Sequence, residues 1–119
     1  MSKILVVDDE PDLRFILRRI FERAGHEVAE ASNGAEALGC VGRSLPDLLV
    51  TDMMMPVMGG AELISRLRAD PATAQLPILA ATGDSQLAGA ADAVLPKPYL
   101  PAQVLAAADA LLTRKADQT

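Results

Sequence analysis

Five short apolar runs alternate with amphipathic segments, and that order constrains the fold more than any other feature of the chain. The runs span residues 4–7, 27–31, 48–51, 77–81 and 93–95. Most lack period-two alternation, the pattern of strands buried on both faces. Between them lie helical periods. Leu13, Ile16, Leu17, Ile20 and Ala24 fall at i, i+3, i+4, i+7 and i+11, one face of a helix that Gly25 ends. Asn33 before GAEAL is an N-cap for a second helix. Residues 60–69 form a third, halted by Asp70-Pro71, and residues 100–114, rich in Ala and Leu, form the last. Parallel neighbours need crossover connections, so this order predicts an α/β, doubly wound, five-stranded parallel sheet with helices on both faces.

Size and charge narrow the function. A chain of 119 residues holds one core, so residues 1–119 read as a single unit. Its core spans residues 3–114, and the polar tail after Leu112, TRKADQT, is expected to fray. The net charge is −5, which argues against nucleic acid and anionic membranes, because phosphate contacts need clustered Lys and Arg. The lone Cys40 excludes an internal disulfide, and no Cys/His cluster has zinc spacing. MSKILVVDDE is too short and too early-charged for a signal peptide, and no apolar run reaches membrane-spanning length. The expectation is a cytoplasmic protein with protein partners.

In such sheets ligands gather beyond the carboxyl ends of the strands. Asp8, Asp9 and Glu10 follow the first run, Asp52 the third, Thr82 the fourth, and Lys97, within LPKPY, the fifth. Each alone is an ordinary strand-end polar residue; together they converge on one edge. Two carboxylates about 4 Å apart repel by about 4 kcal/mol at an effective dielectric near 20. Lys97 offsets one charge and a divalent cation two more. Oxygen ligands of high charge density suit Mg²⁺, with Mn²⁺ as the alternative. Mg²⁺ keeps waters and is completed by phosphate, so the cluster is suited to a phosphoryl group. An aspartate there can act as nucleophile and form an acyl phosphate. Metal and lysine neutralise the phosphoryl oxygens, and the Thr82 hydroxyl bonds one of them. No Gly-rich phosphate loop is present, so a nucleoside triphosphate is not the obvious donor.

The segments ILVVDDEP, LLVTDMMMPVMGG, PILAAT and LPKPY occur in an order that resembles the receiver domain of two-component response regulators, over essentially residues 3–114. The resemblance implies a flavodoxin-like sheet of order 2-1-3-4-5. It makes Asp52 the phospho-acceptor, Asp9 a direct Mg²⁺ ligand, Asp8 a direct or water-mediated one, and the Met54 backbone carbonyl a further ligand. Thr82 becomes the hydroxyl switch residue and Lys97 the phosphate partner, with a cis Lys97–Pro98 bond. The donor is a phosphohistidine on a sensor histidine kinase or histidine phosphotransfer protein. The chain then catalyses its own phosphorylation and dephosphorylation, turns over no metabolic product, and switches binding to a downstream protein that the sequence does not name.

Several positions depart from the family pattern. Val94 stands where the switch aromatic belongs, and Tyr99, where Phe is frequent, reads as a packing residue. Thr82 and Lys97 are only 15 positions apart. The intervening GDSQLAGAADAV has two glycines and little periodicity, so the fourth helix is expected to be very short or missing. Signalling through the usual dimer face of that helix is therefore not expected. Gly83 and Gly59 are milder departures, and the resemblance implies that the side chains of Met54 and Asp84 flank the route of the attacking water. Phe15, about 200° around the helix from Leu13, reads as exposed, either an ordinary surface apolar residue or a docking residue beside the acidic site, and Arg14, Arg18 and Arg19 read as a solvated face. Cys40, Met53, Met55 and Met58 read as packing, and His26 as a turn residue. Two rivals remain at this point. One is a receiver-like binding module that works without phosphorylation. The other is an aspartyl-phosphate phosphatase of the haloacid-dehalogenase type, which needs D-x-D on its first strand and a cap insertion.

Overall fold

The computed structural model describes residues 2–117. Its strands are β1 (Lys3–Val7), β2 (Glu27–Ala31), β3 (Leu48–Asp52), β4 (Ile78–Thr82) and β5 (Ala93–Pro96). They form one parallel sheet of order β2-β1-β3-β4-β5. The helices are α1 (Pro11–Arg23), α2 (Gly34–Arg43), α3 (Gly60–Ala69) and α4 (Pro101–Asp117). On one face Leu5, Val7, Leu49 and Ile78 pack with Leu63, Ile64 and Leu67 of α3 and Ala37 and Val41 of α2. On the other, Ile4, Val6, Val50 and Leu79 pack with Leu17 and Phe21 of α1 and Val104, Ala108 and Leu111 of α4. Successive β1 residues thus enter opposite cores, which is why the run is apolar throughout rather than alternating.

The sequence boundaries for β2 and α3 agree with the structure, and those of the other strands differ by one residue. Asn33 does cap α2, its Oδ1 accepting from the Glu36 N–H at 2.9 Å. Gly25 ends α1 in a left-handed conformation at φ +94°. The α1 stripe needs correction. Ile16 is 47% exposed, and Ala24 lies at the exposed C-cap. The buried anchors are Leu17 and Phe21, which lie on the i, i+4, i+8 row from Leu13, a row that fits one helix face as well as the predicted stripe does. The last helix runs beyond Arg114 to Asp117. Gln118 and Thr119 of the polar tail lie outside the described residues.

Between β4 and β5 only a four-residue 3-10 turn, Ser85–Ala88, stands where the fourth helix was expected to shrink. Its neighbourhood is tied down by one side chain. The Arg68 guanidinium, at the end of α3, donates to the carbonyls of Ala74 (3.0 Å), Leu76 (2.7 Å) and Ala90 (3.2 Å) and to Asp92 Oδ2 (2.8 Å). Asp92 Oδ2 also accepts the Ile78 N–H at 2.7 Å. One planar fork thus joins α3, the start of β4 and the approach to β5.

Candidate functional site

Strand register brings the polar residues together. Val7 pairs with Thr51, Asp52 with Ala81, and Thr82 with Pro96. The strands end in step, so Asp8, Asp9, Asp52, Thr82 and Lys97 share the carboxyl edge of the sheet, beside the place where the chain changes direction between β1 and β3.

One oxygen each from Asp8, Asp9 and Asp52 lies within 4.8 Å of the others. Asp8 is 1% exposed and Asp52 9%. Like charges at that spacing repel by about 3 to 4 kcal/mol per pair at an effective dielectric near 20. Burial pushes the Asp8 carboxyl above its ordinary value, the Glu10 N–H on its Oδ1 (2.9 Å) opposes this, and the Asp52 charge adds to it. Lys97 answers part of the charge: its Nζ lies 3.0 Å from Asp52 Oδ1, and the Lys97–Pro98 bond is cis. Asp52 Oδ1 also accepts the Met53 N–H at 2.8 Å. Three acidic oxygens in one small volume, only partly neutralised by a single lysine, fit a hard divalent cation.

The chain behind Asp52 is held closely. Gly60 N–H donates to Met53 O at 3.0 Å. A Cβ on Gly60 would sit 2.6 Å from Asp52 O and 2.8 Å from Met53 Cα, so only glycine lets α3 start this near the strand. Val57, in the same loop, adopts φ +67° and is 84% exposed. That conformation is costly for a β-branched residue.

Thr82 reaches the edge but faces its own loop. Its hydroxyl accepts the Asp84 N–H at 3.1 Å and donates to Asp84 O at 3.2 Å. Met54 is 72% exposed. Glu10 is exposed and stands outside the acidic cluster. Val94 packs at the margin of the α2/α3 core. Tyr99 packs its ring against the opposite core, and its hydroxyl is buried without a hydrogen-bond partner. Burial, then the charges of Asp8 and Asp52, push that phenol up to about 12.

Arg14 was read as part of a solvated face, and the structure gives it another place. Its side chain is 19% exposed, its Nη1 donates to the Asp8 carbonyl at 2.7 Å, and its Nε meets Glu30 Oε1 at 3.2 Å. Its position in the first turn after the acids was the available signal. Arg18 also pairs with Glu30, at 2.7 Å, and that guanidinium holds the Glu30 carboxyl below its ordinary value. Phe15 is 56% exposed, as its helical phase implied, with Arg19 stacked 5.7 Å from its ring centre. Phe15, Ile16, Ile20, Pro101 and Leu105 line a groove between α1 and α4, flanked by Arg19 and Arg23. A second apolar cavity bordered by Ile16 reaches Lys97. Among the described residues no helix is long and apolar enough to cross a membrane.

Comparison with known proteins accords with this geometry. The response regulator receiver domain family matches residues 4–109. A response regulator receiver protein of Anaeromyxobacter sp. is 44% identical over 110 residues, covering 88% of this chain and 46% of its own length. The transcriptional regulatory protein PrrA of Mycobacterium tuberculosis is 38% identical over 118 residues, covering 95% of this chain and 51% of its own. The chain thus spans about half the length of these two relatives. The chemotaxis response regulator CheY4 of Vibrio cholerae superposes with a TM-score of 0.88 at 31% identity, over 93% of this chain and 98% of that one. By its sheet order, its acidic edge and these matches, the chain belongs to the response regulator receiver domain family, a family of two-component signalling modules rather than metabolic enzymes.

Proposed function

We propose that this receiver accepts a phosphoryl group on Asp52 from a phosphohistidine of a sensor kinase or phosphotransfer protein, in a Mg²⁺-dependent reaction. The observation that carries this reading is the acidic trio within 4.8 Å, with Lys97 paired to Asp52 at 3.0 Å. Asp8, Asp9, Asp52 and the Met54 carbonyl would hold the cation, which supplies neutralising charge to the phosphoryl oxygens. Among the described residues the Asp52 carboxylate accepts two hydrogen bonds, both on Oδ1, which leaves Oδ2 as the attacking oxygen. An O–P bond forms as the N–P bond of the donor histidine breaks, and the imidazole leaves with the electron pair. Lys97 turns from Asp52 to the phosphoryl oxygens, and Thr82 exchanges its bond to Asp84 O for one to the phosphoryl group. Water then attacks the phosphorus, the Asp52 O–P bond breaks, and inorganic phosphate leaves with the carboxylate restored, by a route flanked by Met54 and Asp84.

The donor protein docks beside the site, on Phe15 and the apolar groove between α1 and α4. The setting is cytoplasmic, with no role for nucleic acid or membrane. Output goes to a protein partner. With Val94 in place of an aromatic and a 3-10 turn in place of the fourth helix, it does not pass through the usual fourth-helix dimer. The dehalogenase-type rival needs D-x-D on the first strand, whereas the acids that follow β1 are adjacent. The phosphorylation-independent reading is favoured by Val94 in place of an aromatic, by the short segment in place of the fourth helix, and by the Thr82 hydroxyl turned to its own loop.

Beryllofluoride with Mg²⁺, followed by amide NMR, separates the two. The phospho-switch predicts shifts around Asp52, Thr82 and Lys97 that vanish in Asp52→Ala. No shifts in the wild type, or equal shifts in the variant, would establish the binding module instead.

A further inference from the structure

A small cavity lies at the amino end of β4 and β5, across the sheet from the acidic edge. It encloses about 170 Å³ between the segment after α3, the approach to β5 and the last turns of α4. Its charged lining is Arg68, Asp92 and Arg114, so it carries one net positive charge in a chain of net charge −5. Both guanidiniums face one carboxylate. Arg68 Nη2 lies 2.8 Å from Asp92 Oδ2, and Arg114 Nη2 lies 3.9 Å from Asp92 Oδ1. The second distance is too long for a hydrogen bond, and Arg114 makes none elsewhere among the described residues. Arg68 uses four of its five N–H groups. The Gln75 amide, also in the lining, donates to nothing among the described residues.

Unused donors around a net positive charge suit an anion. Asp92 decides which one. Its Oδ2 accepts from Arg68 and from the Ile78 N–H at 2.7 Å, while its Oδ1 accepts no hydrogen bond among the described residues. A bare carboxylate oxygen repels sulfate, which has no proton to offer at neutral pH. A phosphate monoester loses its second proton at about pH 6. Inorganic phosphate keeps at least one hydroxyl, a donor for Asp92. At about 30 Å³ per water, the cavity holds a tetrahedral oxyanion with a few waters and no large organic group.

We propose that this cavity binds inorganic phosphate. Arg114, Gln75 and the remaining Arg68 N–H donate to its oxygens, and its hydroxyl donates to Asp92 Oδ1. Bound phosphate then ties α4 to the segment that replaces the fourth helix, independently of phosphoryl transfer at Asp52.

The metal-free full chain is titrated with sodium phosphate, and in parallel with sodium sulfate, at constant ionic strength, and its amides are followed by NMR. Saturable shifts at Gln75, Ala90, Asp92 and Arg114 are expected, with a phosphate midpoint of about 1 mM and a sulfate midpoint at least about tenfold higher. R114Q should raise the phosphate midpoint about tenfold. Its urea midpoint should match the wild type, because the Arg114 side chain is 58% exposed and its pair with Asp92 is long. D92N should bind sulfate as well as phosphate; R114Q carries the test if D92N, which also loses a brace on Ile78, does not fold. Equal phosphate and sulfate midpoints in the wild type, an unchanged midpoint in R114Q, a folded D92N that still prefers phosphate, or shifts centred on Asp52 and Lys97 instead would each overturn the proposal.

Discussion

Arg68→Ala is expected to destabilise the protein by about 2–4 kcal/mol, although Arg68 lies at the opposite end of the sheet from the acidic site. Its side chain is 21% exposed and makes four hydrogen bonds. Those to the Ala74 and Leu76 carbonyls are part-buried, and leaving each acceptor unpaired costs about 1–1.5 kcal/mol. The exposed pair with Asp92 adds about 0.2–1 kcal/mol. With a urea slope of about 1.5 kcal/mol per molar, the unfolding midpoint falls by about 2 M. Arg68→Lys should recover less than half of the loss, because an ammonium meets Asp92 but cannot fork to three carbonyls. Amide exchange should quicken first at Ala91 and Asp92, which bond to Ala88 O and Ile78 O. Mg²⁺ affinity should stay at the wild-type value. A loss below about 1 kcal/mol, or exchange that quickens uniformly, would refute the argument that this clamp holds the segment replacing the fourth helix.

Two further outcomes follow from the site. Val57→Gly should stabilise by about 1 kcal/mol and raise the melting temperature by about 4 °C: it relieves a left-handed valine and loses no packing, since Val57 is 84% exposed. Lower stability in that variant would refute the strain. Asp8 titrates above its ordinary 3.8 because burial disfavours the charged form, so the folded protein holds that proton to higher pH than the unfolded chain. Stability is therefore lost as pH rises from 3.8 through the folded value. Metal-free Asp8→Asn should match the wild type at low pH, exceed it at neutral pH by urea midpoint, and gain no thermal stability from Mg²⁺. A variant weaker than the wild type at neutral pH would show that Asp8 does not bear this burial penalty.

The acidic edge was legible because it depends on local order. Each acid, the threonine and the lysine follow an apolar run directly, and parallel strands put all such positions at one end. The shrunken fourth helix was legible too, since two glycines and absent periodicity leave little to propagate a helix. Arg14 was misread because helical phase alone does not say that β2 presents Glu30 beside it. Ile16 was placed inside because a five-position stripe is wider than the seam that the sheet covers.

By itself, then, the amino-acid order determined the alternation of strands and helices, the parallel sheet and the set of residues at its carboxyl edge, because periodicity and strand-end position are properties of neighbours along the chain. Tertiary structure alone decided the rest. It set how close the carboxylates come, that Lys97 rests on Asp52, that Thr82 turns to Asp84, and that Arg68 spans three segments. It also buried the Tyr99 hydroxyl without a hydrogen-bond partner. These are distances and burials between residues far apart in the chain, and they exist only once both faces of the sheet are packed.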